Sequence, residues 1–236
     1  MKATEYLCNV KSFKMLTPTV FEIKFDTNQP LQFTAGQFIS VIIPGAGPKG
    51  RDLRRAYSIA SSPEAHPLEL CVKLVDGGPG TQYLYRLREG DTFRGVAPYG
   101  DFVYEPKAGR HICFIATGTG IAPFRSIFLS EQYRKNPPAS AHFFFGVRSE
   151  DELLYDDAFM NVPGLRFVQA VSQPTPAWKG FKGRVTDYIR NIGVDFPWQD
   201  TEYYLCGHGG MINEVKAFLS DKGVDKDSIH QEVYYK

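Results

Sequence analysis

The run Arg55-Ala56-Tyr57-Ser58-Ile59-Ala60-Ser61 places a cation, an aromatic face and a small hydroxyl within four consecutive positions, Arg55 to Ser58. The setting is strand-like, and alternate side chains on a strand face opposite ways, so Arg55 and Tyr57 share one face and Ala56 and Ser58 the other. Such a grouping suits a flat, anionic ligand. An aromatic ring stacks on a planar heterocycle, a guanidinium takes a phosphate bidentately, and a hydroxyl both donates to and accepts from a ring nitrogen. The same spacing also fits a half-buried strand with an exposed arginine and a packed tyrosine.

A second grouping lies downstream. Gly118-Thr119-Gly120-Ile121-Ala122-Pro123-Phe124 follows the apolar run His111 to Ala116 and precedes the helical pattern Phe124 to Arg134. A buried strand, a glycine turn and a helix start expose backbone N–H groups that accept phosphate, with the helix dipole adding about 0.3–1 kcal/mol. The run departs from the standard dinucleotide fingerprint, because Pro123 stands where the third glycine would be. Proline suits a first helical turn, which has no N–H partner to lose. By itself, a Gly-x-Gly after a strand is equally a plain tight turn.

The elements that must carry these groups divide in two. From Glu5 to Val103 the pattern is of short strands between glycine and proline breaks: 6–10, 20–25, 38–43, 56–60, 68–75 and 91–96. This regular spacing predicts an antiparallel β-barrel, interrupted by one helix over 81–87. After the polar stretch Glu105-Pro106-Lys107-Ala108-Gly109-Arg110 the rhythm changes. Strands over 111–116, 142–146, 165–171 and 203–206 alternate with helices over 124–134, 151–160, 184–191 and 210–220, which predicts a parallel, Rossmann-like α/β sheet. The expected domains are therefore residues 1–105 and 106–236. The glycine- and cation-rich loop Pro44 to Arg54 reads as mobile.

Bulk properties narrow the functions. At 236 residues the chain accommodates two domains with a core each. Its 27 Lys and Arg nearly balance 26 Asp and Glu, a net charge of +1, which removes any overall pull toward nucleic acid or membranes. There is no run of eighteen apolar residues, and Met1-Lys2-Ala3-Thr4-Glu5 lacks a signal peptide's apolar segment, so a cytoplasmic protein is expected. Cys8, Cys71, Cys113 and Cys206 lie far apart, as neither zinc pairs nor an iron–sulfur cluster set, and no metal site is expected.

The two motifs, in this order, resemble the ferredoxin–NADP reductase family of flavoenzymes, whose flavin domain carries Arg-x-Tyr-Ser and whose pyridine-nucleotide domain opens with Gly-Thr-Gly-x-x-Pro. The likeness runs along almost the whole chain. Phe33-Thr34-Ala35-Gly36-Gln37-Phe38 is similar to the strand entering the flavin barrel, Gly78-Pro79-Gly80-Thr81 to a Gly-x-x-Ser phosphate turn with threonine for serine, and Tyr99-Gly100-Asp101-Phe102 to a Gly-x-Phe strand. Cys206-Gly207 with Met211, and Glu232-Val233-Tyr234 near the end, match the late motifs.

This resemblance implies FAD, with NADPH or NADH as the coenzyme. It gives Arg55 the flavin's phosphate, Tyr57 one isoalloxazine face and Ser58 a hydrogen bond near N5, with Ala56 in the same strand. Cys71, Val72 and Lys73 would offer backbone groups to the ribityl chain and ring edge. Gly80 and Thr81 would receive a pyrophosphate, which favours FAD over FMN, although Thr81 is equally a plain helix cap. Gly118, Thr119, Gly120 and Pro123 would line the nicotinamide and pyrophosphate site, with Arg148 reaching a ribose or phosphate. NADP-using relatives commonly carry an arginine after the serine matched by Ser172. Here that position is Gln173, which cannot pair with a 2′-phosphate as a guanidinium does, while Lys182 and Arg184 nearby could restore the charge; the coenzyme stays open. Cys206, with Gly207 and Met211, would face the nicotinamide, or be a buried inert thiol. Glu232 would help proton traffic at N5. Tyr234 or Tyr235 would cover the flavin's other face, unless the tail is simply a last strand. His208 reads as a polar turn residue rather than an acid or base.

The implied activity is hydride transfer between NAD(P)H and flavin, with single electrons exchanged with a separate carrier, ferredoxin or flavodoxin, and with Ser58, Cys206, Glu232 and Tyr234 at the reacting atoms. The alternatives are a free-flavin or ferric reductase, and an electron-transfer subunit of a larger complex. If Tyr234 is the covering ring, Tyr234→Ser raises nicotinamide affinity and weakens discrimination between coenzymes. A coenzyme titration showing wild-type affinity in Tyr234→Ser would remove the ring from that role.

Overall fold

The computed structural model describes residues 2–193 and 195–235. Six strands come first: β1 (Thr4–Met15), β2 (Val20–Thr27), β3 (Phe38–Ile43), β4 (Leu53–Ser58), β5 (Leu68–Lys73) and β6 (Thr92–Tyr99). They pair antiparallel in the order β4-β3-β6-β1-β2-β5. The outer strands then meet, because Ile59 bridges Leu70 and Ala60 N donates to Glu69 O at 2.8 Å, so the sheet curls into the expected barrel. Alternation drives this: Tyr6, Cys8 and Val10 turn inward between exposed Glu5, Leu7 and Asn9, and join a core with Phe21, Ile23, Phe25 and Phe93. Each buried phenylalanine contributes about 1.5–3 kcal/mol. Strand β1 runs well past the expected Val10, because a register shift between Val10 and Ser12 lets it continue along β2.

Helix α1 (Pro79–Arg86) starts two residues earlier than its pattern, with Pro79 in its first turn after Gly78. The Pro44–Arg54 loop, expected to be mobile, holds a hydrogen-bonded turn over Pro48–Gly50. Gly47 N donates to Arg51 O at 2.8 Å, Gly45 N reaches Asp52 Oδ1 at 3.3 Å, and β4 already begins at Leu53. Phe33–Gln37 forms a turn rather than a strand: Gln37 N donates to Thr34 O, and Gln37 Nε2 donates to Gly100 O at 2.9 Å. That bond explains why the Phe33–Phe38 and Tyr99–Phe102 motifs occur together.

The second sheet is parallel throughout: β7 (His111–Thr117), β8 (Ser140–Val147), β9 (Leu165–Val171), β10 (Phe181–Lys182), β11 (Thr201–His208) and β12 (Ile229–Tyr235), in the order β10-β9-β8-β7-β11-β12. Its helices are α2 (Ala122–Leu129), α3 (Glu131–Lys135), α4 (Asp156–Met160), α5 (Val185–Arg190) and α6 (Gly209–Asp221). The single helix expected over 124–134 is split at Ser130, whose Oγ donates to Ile127 O at 2.7 Å and accepts from Tyr133 N at 3.2 Å, capping α3. The helix expected over 151–160 shrinks to a 3-10 turn and α4, because Tyr155 takes a left-handed conformation with φ 58°.

Contacts divide the chain into two compact units. One comprises the residues up to Tyr104 with Ala122–Arg134, and the other Glu105–Ile121 with the chain from Lys135 onward. Three polar links fasten α2 and α3 to the barrel: Ser126 Oγ donates to Ser61 O at 2.6 Å, Arg125 Nη1 to Ala60 O at 2.9 Å, and Gln132 Nε2 to Tyr104 O at 3.0 Å. Arg125 also pairs with buried Glu69, which Lys24 Nζ meets at 2.7 Å. No helix among the described residues is long and apolar enough to cross a membrane.

The other unit buries its own carboxylate. Glu202, on β11, has a side chain 2 % exposed and receives hydrogen bonds from Lys107 Nζ at 2.9 Å, Arg110 Nε at 3.2 Å and His230 Nε2 at 3.1 Å. Burial pushes its pKa up, but the hydrogen bonds from Lys107 and His230 and the charges of Lys107 and Arg110 outweigh that and hold it below the usual carboxylate value. A depressed pKa stabilises the fold above about pH 4.3, and this contribution fades as pH falls through the lowered value. Glu202→Gln is therefore expected to cost about 1–3 kcal/mol at neutral pH and to flatten the acid limb of stability. Denaturant midpoints measured across acid pH check this, and a wild-type acid limb in the variant would exclude Glu202 as the responsible group.

Candidate functional site

In the first unit, β4 puts Arg55 and Ala56 at the surface, Tyr57 half-buried and Ser58 buried. The register sets Arg55 opposite Val41 and Tyr57 opposite Ile39, on one face as expected. The start of α1 comes against that face. A β-carbon on Gly80 would lie 2.5 Å from the Tyr57 hydroxyl and 2.9 Å from Arg55 Cγ, so only glycine allows the approach. The first-turn amides of Gly80 and Thr81 have no partner inside the helix by its geometry. A guanidinium, a phenol ring and a helix start thus converge in a cradle that a methyl group would fill, and such a cradle fits a phosphorylated planar ligand.

Thr81 is used differently from expectation. Its hydroxyl accepts from Val75 N at 3.2 Å and donates toward Gly78 O at 3.2 Å and Val75 O at 3.3 Å, closing the turn before α1. Only its amide is left to meet a ligand. On β5, Cys71 and Val72 are buried and Lys73 half-buried, next to the Ile59–Leu70 bridge that follows Ser58.

In the second unit, strand order reverses between β7 and β11, the point where open α/β sheets form a crevice at their carboxyl ends. Its walls are very close. A β-carbon on Gly120 would lie 2.4 Å from Cys206 O, and one on Gly207, whose φ is +134°, would lie 2.4 Å from Thr117 Oγ1. Gly118, Thr119 and Gly120 form a 3-10 turn directly after β7, while Pro123 is buried in the first turn of α2, among the residues of the first unit. At the ends of β8 and β9, Arg148 Nε donates to Gln173 Oε1 at 2.9 Å, Gln173 N to Arg148 O at 2.7 Å, and Ser172 N to Val147 O at 3.1 Å, so three expected residues interlock.

Cys206 lies opposite Glu232 in the β11–β12 register. Its thiol is pushed well above the ordinary range, first by complete burial and then by the nearby Glu232 carboxylate, with a hydrogen bond from Tyr234 acting the other way. The fold therefore brings Cys206, Glu232 and Tyr234 together, with Cys206 a neutral thiol at physiological pH. Arg184 turns to Glu214 Oε1 on α6 at 3.4 Å, and Met211 packs in the hydrophobic core.

Several participants carry no sequence signal. Thr117 Oγ1 accepts from His208 N at 3.0 Å across the crevice, and His208 caps α6. Glu152 Oε2 accepts from Arg148 N at 3.1 Å, and Glu150 Oε1 accepts from Thr175 Oγ1 at 2.7 Å. These contacts link residues 2 to 91 positions apart, and no local pattern announces them.

A family model of an oxidoreductase FAD-binding domain matches residues 8–104, and one of an oxidoreductase NAD-binding domain matches residues 114–217. The chain is 30% identical to ferredoxin–NADP reductase B of Sorangium cellulosum, across 99% of both chains. It is 33% identical to the reductase subunit of an aromatic O-demethylase of Amycolatopsis, across 93% of this chain and 69% of that one. In fold it is similar to a ferredoxin NADP+ reductase of Neisseria gonorrhoeae solved with bound FAD and NADP, with a TM-score of 0.82, 24% identity and 99% of both chains covered. The barrel and the parallel sheet define a flavin- and nicotinamide-dependent oxidoreductase. The chain belongs to the ferredoxin–NADP reductase family.

Gly80→Ala tests the cradle. The new methyl group collides with the Tyr57 hydroxyl, while alanine favours the helix by about 1 kcal/mol, so FAD retention should fall roughly tenfold, an order-of-magnitude loss of about 1.4 kcal/mol, in a folded protein. A variant that purifies with the wild-type ratio of FAD to protein would show that the cradle does not hold the cofactor.

Proposed function

We propose that this chain draws hydride from NAD(P)H through FAD and passes the electrons singly to a separate ferredoxin-type carrier, ferredoxin or flavodoxin. The observation that carries this reading is the pair of ligand-shaped groupings, each in the domain type that the reaction requires: the Arg55, Tyr57 and Gly80 cradle in the barrel and the Gly120–Cys206 crevice in the parallel sheet. The match across almost the full length of a ferredoxin–NADP reductase supports the carrier, as does likeness to the reductase subunit of an aromatic O-demethylase. Bound FAD supplies the exchange between hydride and single-electron chemistry.

The chain's own residues bind and orient. Arg55 takes a phosphate, the Gly80 and Thr81 amides take the pyrophosphate, and Tyr57 offers a ring face. Ser58 and the backbone of Cys71 to Lys73 supply polar contacts to the ring system. Across the β7–β11 crevice, the amides after Thr117 meet the coenzyme's phosphates, and the Cys206 thiol gives the nicotinamide a small, uncharged neighbour. Glu232 is the proton-handling group, beside Cys206 in register. The four cysteines are free thiols, which suits the cytoplasm.

For the coenzyme the geometry favours NADH. Gln173 occupies one edge of Arg148, and carboxylates stand close by: Glu152 accepts from Arg148 N, and Glu150 is held below the usual range chiefly by its hydrogen bond from Thr175. Of the other candidate cations, Arg184 is paired with Glu214 and Lys182 is exposed on β10. Beside Arg148 a 2′-phosphate would meet fixed negative charges, a penalty of order 1–2 kcal/mol or about tenfold. Stopped-flow reduction followed at the flavin absorbance is expected to favour NADH by about that factor in kcat/KM. Faster reduction by NADPH would overturn the coenzyme choice, and a protein unable to retain FAD would overturn the whole reading.

A further inference from the structure

His208 lies within the late motif, between Gly207 and Met211, and its backbone meets Thr117 where β7 and β11 end. It is the N-cap of α6: its Nδ1 accepts a hydrogen bond from Gly210 N at 3.0 Å. The ring lies directly over the glycine, since a β-carbon on Gly210 would be 3.0 Å from Nδ1 and 3.1 Å from Cε1. On its other side the main chain is fixed as well, because His208 N donates to Thr117 Oγ1 at the end of β7. Immediately before His208 stands Gly207, in a conformation that glycine alone adopts readily and packed onto Thr117. One residue therefore ties the end of β11 to the end of β7 with its backbone and to the start of α6 with its ring.

The cap serves a thirteen-residue helix, and among the described residues no other side chain caps its start.

We propose that His208 is a positioning residue for the nicotinamide coenzyme: its ring, by capping α6, holds the β11–α6 junction in the binding shape. This rests on the reading that the coenzyme occupies the β7–β11 crevice. Losing the cap weakens coenzyme binding, while FAD affinity, which depends on the other unit, is unaffected.

The test uses the FAD-loaded full chain and NAD+, whose binding is read by calorimetry without turnover. His208→Ala, which removes the cap, is expected to weaken NAD+ binding roughly three- to tenfold at about pH 8, with the FAD content unchanged. His208→Asn also caps, so it should restore the affinity. Should His208→Ala fold poorly, His208→Gln, which lies outside the preferred capping residues, is expected to show the same weakening. Wild-type affinity in the non-capping variant, with faster hydrogen exchange at the Gly210 amide, would mean that the cap serves the helix only and would overturn the inference. So would an affinity in His208→Asn no higher than in the non-capping variant. A wild-type protein that binds neither NAD+ nor NADP+ would instead bring down the coenzyme reading, and this inference with it.

Discussion

Backbone proximity is the constraint on which both ligand-shaped groupings depend. At the start of α1 and again where β7 ends beside β11, a β-carbon placed on glycine would fall within 2.5 Å of a neighbouring oxygen. Close approach of this kind leaves main-chain amides facing outward with no side chain to screen them, which is what binding a phosphate demands. It also makes each grouping intolerant of change, since neither a backbone carbonyl nor a ring packed on a core can yield cheaply. The glycines matter here for the absence of a side chain rather than for flexibility.

Around these approaches the fold uses buried charge as fastening. In the first unit Glu69 is met by Lys24 and Arg125, and the latter brings α2 onto the barrel although α2 follows a strand of the parallel sheet. In the second unit Glu202 gathers Lys107 and Arg110 from the stretch that leads into β7, together with His230 from β12. Each carboxylate is nearly inaccessible and has more than one cationic or histidine partner, the condition under which a buried charge is tolerated. Removing a partner would leave a buried charge only partly compensated, so these clusters fix which segments lie together.

The electrostatics of the reactive residues follow from position rather than type. Cys206 is a thiol of ordinary intrinsic acidity made strongly reluctant to ionise by burial beside Glu232, so it contributes shape and polarisability instead of nucleophilicity. Glu150 moves the other way at the surface, where Thr175 donates to it twice, through N and Oγ1. Carboxylates held this way give the ends of β8 and β9 a negative bias, although Arg148 is their most visible side chain.

Alternation and glycine punctuation determined most of the architecture: the six barrel strands, the helix after Gly78, the change of rhythm near Glu105 and the four inner strands of the parallel sheet follow from local pattern, because burial on a strand repeats every second residue. The types and order of Arg55, Tyr57, Gly80, Gly118, Gly120 and Cys206 likewise made the chemistry legible. Tertiary structure alone decided how they are used. Thr81's hydroxyl closes its own turn, Arg148 is bonded to Gln173, Arg184 is drawn to Glu214, and a polar turn residue, His208, is a cap that reaches 91 positions back to Thr117. It also split a helix at Ser130 and attached α2 to the barrel. The reason is physical: side-chain hydrogen bonds and ion pairs act over about 3 Å in space with no regard to sequence separation, so composition shows which groups are available and only the folded chain determines which of them meet.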